Sequence, residues 1–222
     1  ERINPVTGLA ARSTRVSQGE GRNDSAGFNG SLSYNVGQRD TVALTASYGE
    51  FGNDGSALER YRGTGPAGMV NSEYARSSER DGASRNYSIG GRFDHKGTLP
   101  GEVFKLDLRV SSTGADNDAR FANSYTVRPP GITDSITRLD NATDTRLADF
   151  TGDYERPAGT GTLKLGYKVA RSGDSFDTRF FNADPVKLAE TVNTARTNHF
   201  ELDATTVALY GSYQYRIDSK WS

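Results

Sequence analysis

The chain has no cysteine among its 222 residues, so neither a disulfide framework nor a thiolate-ligated metal site is open to it. Histidine is nearly absent as well: His95 falls in an expected tight turn and His199 in a long connection, where each reads as a solvated side chain. Net charge is missing too. Lys and Arg number 27 against 28 Asp and Glu, so no global field draws the chain to nucleic acid or an anionic surface. Hydrophobic residues are only 34% and mean hydropathy is −0.69, lean for a packed core of this size. No apolar run approaches the roughly 20 residues of a membrane-spanning helix. That excludes helical spans only, since a barrel strand crosses with about 10 residues, half of them polar.

Helical stripes are lacking, apart from weak helical spacing over Val186, Leu188, Ala189, Val192 and Ala195, which would fit a short surface helix within 184–197. What the chain does have is alternation with period two. Ala26, Phe28, Gly30, Leu32 and Tyr34 are apolar or small, while Gly27, Asn29, Ser31, Ser33 and Asn35 between them are polar or small. The split recurs in 42–48, 87–93, 104–110, 148–154, 163–169 and 207–217. Successive side chains of a strand point to opposite faces, so each stretch predicts a strand with one apolar and one polar face.

Short and long connections take turns between these strands. The short ones, 37–40, 95–101, 157–161 and a fourth expected at 217–220, hold Gly, Pro and Asp in turn positions. The long ones, about 52–85, 112–144 and 172–203, are rich in Asp, Asn, Arg, Ser and Gly. Short turns on one rim and long loops on the other describe an outer-membrane β-barrel. Tyr34, Phe93, Phe104, Tyr154 and Tyr215 beside the short turns, with Phe28, Tyr48, Tyr87 and Tyr167 nearer the long ones, fit the aromatic girdles of such barrels.

The polar parity carries Arg92, Asp94, Lys105, Asp107, Arg109, Asp149, Asp153, Lys164 and Lys168 in mid-strand. These are the candidate lumen-facing residues, because mid-strand charges suit a wet lumen better than a packed core. The expected fold is therefore all-β: one antiparallel up-and-down meander over 1–222, a partial outer-membrane barrel of about seven to eight strands with long loops on one rim. A soluble, secreted β-sandwich that binds a ligand or glycan is the alternative, because a sheet with one solvated face also alternates.

No catalytic arrangement stands out, and the expectation is a non-enzyme without cofactor. The glycines serve turns and strand packing, with no phosphate-cradling loop before a helix. Asp116, Asn117 and Asp118 have calcium-like chemistry but lack the Gly and distal Glu of an EF-hand loop, and read as loop residues. Pro129-Pro130-Gly131 reads as a stiff turn. Arg60, Arg62, Arg76 and Arg80 are interleaved with Glu59, Glu73 and Glu79, which argues against a nucleic-acid patch.

Several segments together resemble one family: Asp153-Tyr154-Glu155-Arg156-Pro157, Gly161 through Tyr167, Phe181-Asn182-Ala183-Asp184-Pro185 and Lys220-Trp221-Ser222. With the opening Asn4 to Gly8 and the run Gly114 to Arg120, their order and spacing are similar to the barrel region of TonB-dependent outer-membrane receptors, in the subgroup known as outer-membrane β-barrel family proteins. The resemblance implies residence in the bacterial outer membrane and contact with its lipid. It also implies energy-coupled uptake of a scarce nutrient such as a siderophore, cobalamin or carbohydrate. Partners would be a plug domain, the TonB system and the external ligand. Neither a plug nor an energy-coupling box is contained in these residues, so the expectation is an internal barrel fragment. Isolated from lipid, such a fragment is expected to self-associate through its edges or its apolar face. A monodisperse monomer by light scattering without detergent would count against the barrel.

Overall fold

The structure is a computed structural model that describes residues 2–3, 10–65 and 67–215, with side chains from residue 12 onward. The expected turn at 217–220 and the segments 4–8 and 220–222 lie outside the described residues. Nine strands form one antiparallel sheet: β1 (Arg2–Ile3), β2 (Ala10–Val36), β3 (Asp40–Thr64), β4 (Val70–Lys96), β5 (Val103–Val127), β6 (Ser135–Ala158), β7 (Gly161–Ala183), β8 (Glu190–Val192) and β9 (Asn198–Tyr215). Each long strand pairs with the next. Short β8 pairs with the far end of β7 and β9 with the rest of it. The all-β meander is as expected. The sheet is open, because the outer edge of β2 beyond Ala11 and that of β9 have no partner strand among the described residues.

The long connections differ from the expectation. They are not loops but continuations of the ladder. β3 and β4 stay paired to Thr64 and Val70, leaving 65–69 as the turn. β5 and β6 stay paired to Asn123 and Ser135, and β6 and β7 to Ile136 and Ala183. At 3.3 Å per residue the 27 residues of β2 reach about 90 Å, whereas a bilayer needs only about 9–11 residues of strand. More than half of each strand from β2 to β7 therefore stands outside the membrane. The helix expected within 184–197 is also absent. Asp184 Oδ1 accepts the amides of Val186 and Lys187, both at 2.8 Å, and the Leu188 amide returns to the Asp184 carbonyl at 2.8 Å. Leu188 sits at φ 56°. Asp184 thus caps a single turn, and the left-handed backbone at Leu188 ends it before a helix can propagate.

At the opposite rim the turns are tight. Gly159-Thr160 is a two-residue loop between the paired Ala158 and Gly161, and φ of 60° at Gly159 suits a type II′ turn. The turn from β4 to β5 is organised by Glu102. Its side chain accepts the Thr98 amide at 3.0 Å and the Tyr154 hydroxyl at 2.6 Å. These bonds, that of Tyr154 foremost, hold the Glu102 carboxyl below the usual glutamate range. With the folded value under the unfolded one, this contribution is fully present above the unfolded value. It is lost as pH falls through the lowered one. An NMR titration should place the Glu102 midpoint below an ordinary glutamate and return it towards normal in Tyr154→Phe.

Because side chains directly opposite one another share a face, the register sorts them without ambiguity. The row Leu32–Leu44–Gly91–Leu108–Phe150–Val169–Val207 is apolar or glycine across seven strands. The rows on either side complete a hydrophobic belt. It is no core: among the described large apolar side chains only Phe180 is buried, and Leu209 is 83% exposed. A sandwich needs two layers, and the described residues form a single one.

The belt does not follow the hydrogen-bonded rows. Tyr48 and Tyr87 are its upper end in β3 and β4, but they are level with Ser112, Arg146, Gly173 and Asp203. At the lower end Asp40 and His95 lie beyond it, yet the same row continues as Phe104, Tyr154, Leu165 and Gly211. From β3 to β9 the belt slips by about four to six residues, or ~13–20 Å, over five strand spacings of ~4.8 Å, which corresponds to a tilt of roughly 30–40°. Strands of membrane barrels lean by about 35–45°. Tilted so, the belt becomes level.

Three tyrosines on these strands lie over glycines. A side chain at Gly152 would collide with the ring of Tyr167, one at Gly166 with Tyr210, and one at Gly161 with Tyr213. Tyr210 reaches over Gly166 to hydrogen-bond Asp153, and the Tyr213 hydroxyl donates to the Ala158 carbonyl at 2.9 Å.

Candidate ligand-facing surface

At belt height the opposite face is ionic. All nine charged residues singled out from the sequence share it, and the register sets opposite signs side by side. Lys105 lies between Asp94 and Asp153, Arg92 is opposite Asp107, and Arg109 is opposite Asp149. Lys164 is opposite Glu155, with Nζ 3.0 Å from its carboxylate. Lys168 reaches diagonally to Asp149 at 3.2 Å, and Arg92 bonds Asp94 along its own strand at 2.8 Å. Pairs this exposed contribute little to stability, about 0–1 kcal/mol each. Their consequence is that this face requires water where the other sheds it.

Beyond the belt the two faces change character. The apolar face turns acidic: Asp54, Asp81, Asp118 and Asp140 stand in one row on adjacent strands, with Arg22 and Arg179 at its ends. Those arginines bond Asp24 and Asp177 instead, at 2.9 Å each, and Asp140 bonds Arg138 at 2.7 Å. Burial, with Asp118 adding to it, pushes the Asp140 carboxyl up. Like charges directly opposite destabilise a sheet by about 0.2–1 kcal/mol per pair. Asp81→Asn is therefore expected to slow amide hydrogen exchange in the outer parts of β3 and β4, with the gain shrinking as salt is added. The Asp116–Asn117–Asp118 run does not converge on a cation, since strand alternation sends Asn117 to the other face. No acidic or histidine cluster among the described residues could hold a metal ion. His95 bonds Asp40 at 2.6 Å and His199 bonds Glu201 at 3.2 Å.

The polar face, by contrast, becomes amide-rich just beyond the belt. Asn23, Asn53, Gly82, Asn117, Asn141, Thr178 and Asn198 form one row across seven strands. Gly82 leaves room for its neighbours: a Cβ there would lie 2.5 Å from Asn53 Oδ1 and 2.7 Å from Asn117 Oδ1. Thr178 Oγ1 donates to Asn141 Oδ1 at 2.9 Å. Farther out, Tyr61, Tyr74 and Tyr125 stack with ring centres 4.6 and 4.8 Å apart. Reading the sequence did not reveal this surface. Its signal, asparagine at matching register, is visible only once the outer segments are known to be paired.

A one-layer antiparallel sheet with tilted strands, a level hydrophobic belt on one face and an ionic lattice behind it is the wall of a transmembrane β-barrel. A family model for the outer membrane protein beta-barrel family matches residues 93–222, more than half of the chain, and the chain belongs to that family. Its place is the bacterial outer membrane. No curated protein matches it.

Proposed function

We propose that this chain forms wall and cell-surface rim of a TonB-dependent receptor barrel that takes up a scarce nutrient. The observation that carries the barrel part is the pairing of belt and ionic lattice at one height. Lipid on one side and water on the other is the arrangement of a barrel with a wide, wet lumen. The nine charged residues then line the lumen, where a plug or a passing ligand meets them. The asparagine row and tyrosine stack above them form the inner wall of the vestibule. Receptor identity is supported by the similarity of segments such as Asp153 to Pro157 and Gly161 to Tyr167 to that group, in order and spacing. Energy coupling separates this reading from a passive pore. In cells, uptake of the nutrient should stop when a protonophore collapses the inner-membrane gradient, while surface binding persists. Flux that continues unchanged would identify a diffusion channel and refute the receptor.

A further inference from the structure

On the outer half of the polar face a cavity of about 530 Å³ opens over β2, β3, β4 and β5. Its floor has almost no side chains, because Gly19 is opposite Ala57 and Gly21 opposite Gly55. Ser78, opposite Ala57, is buried. Arg76 and Arg80 flank Ser78 on the same face of β4, and Phe121 lies across from Ser78 on β5. Both guanidinium groups lie over that one ring, at 4.4 and 5.9 Å from its centre. Such stacking fixes an arginine while leaving its in-plane N–H groups free.

The charges around the floor are unequally committed. Glu59 is half of an ion pair with Arg15 and accepts the Tyr61 hydroxyl at 2.7 Å. The Tyr61 bond first, and Arg15 after it, keep the Glu59 carboxyl below its usual range. Arg76 is directly opposite Glu59 and helps to lower its carboxyl, but neither Arg76 nor Arg80 comes within ion-pair distance of a carboxylate among the described residues. Glu20 touches the cavity from the outward parity, at its rim. The site therefore offers two pre-positioned cations beside one satisfied and one peripheral carboxylate. That balance favours a single negative charge over a dense polyanion. One same-face step nearer the membrane lies the amide row, whose neutral groups both donate and accept, as vicinal hydroxyls require.

We propose that Arg76 and Arg80 clamp the carboxylate of an acidic sugar, with Asn53 and Asn117 hydrogen-bonding its hydroxyls. The proposal rests on the receptor reading for the direction from which the ligand enters. It is tested by calorimetric titration of the detergent-solubilised protein with digalacturonate, with neutral digalactose and with inorganic phosphate. Digalacturonate should bind and digalactose should not. Arg76→Gln and Arg80→Gln should each weaken the acid by about ten- to a hundredfold, the range of a charge-assisted bond. Arg85→Gln, on the outward face, should leave it unchanged. Asn53→Ala and Asn117→Ala together should weaken digalacturonate without affecting any phosphate binding. Resistance to SDS before heating checks that each variant is folded. Equal binding of the neutral sugar, no binding of the acid, indifference to both arginine variants, or phosphate binding as tightly as the acid would each overturn the clamp. Binding is read here without transport. Failed uptake with intact binding would sink the receptor reading alone, and intact uptake with no acid-selective binding would sink the clamp alone.

Discussion

Leu108→Arg is expected to destabilise the protein in a lipid bilayer by about 2–4 kcal/mol, the cost of a lipid-facing cation near the midplane of a barrel. Leu108 stands in the row that is apolar or glycine across all seven long strands, at mid-height of the belt. Asp116→Arg is its control. It has the same strand and parity but lies beyond the belt, beside Ala83 and Ala142, where the arginine stays in water. Its effect should be within about 0.5 kcal/mol, as for ordinary surface changes. Urea titrations in lipid vesicles compare the two. Equal costs, or a negligible cost at Leu108, would mean that hydrocarbon is not what this face touches.

Gly166→Val should cost about 1–3 kcal/mol, as overpacking does, although valine is intrinsically the better strand former. The reason is the Tyr210 ring, which occupies the space a side chain would take and carries its hydroxyl across to Asp153. The valine would lift the ring and break the hydrogen bond in one step. A double-mutant cycle with Tyr210→Phe isolates this, since the hydroxyl can be lost only once. The two changes should be clearly less than additive. Full additivity would show that ring and glycine are independent. Gly152→Val, under Tyr167 on the belt face, should behave similarly in its stability cost.

The sequence disclosed the fold where water and lipid treat alternate residues differently. Phe104 to Val110 is readable because its even positions meet one solvent and Lys105, Asp107 and Arg109 another. The same strand beyond Ser112 has water on both sides, so Asp116, Asn117 and Asp118 show no hydropathy period and pass for loop. Pairing there is enforced by the ladder below and by the opposite strand, neither of which leaves a local trace. The nine charged residues were legible as one face for the same reason. The arginine cleft was not, because Gly19, Gly55 and Ser78 become neighbours only through the register of three strands.

The continuity of the ladders past the belt also bears on what the outside world meets. A protease, phage tail or antibody arriving at the cell would find stiff ribs rather than pliable strings. Among the described residues, cleavage and induced-fit docking would concentrate at the tips at 65–69, 128–134, 184–189 and 193–197. Escape from such attackers would therefore require changes in only a handful of tip residues, leaving the ribs and whatever they hold untouched.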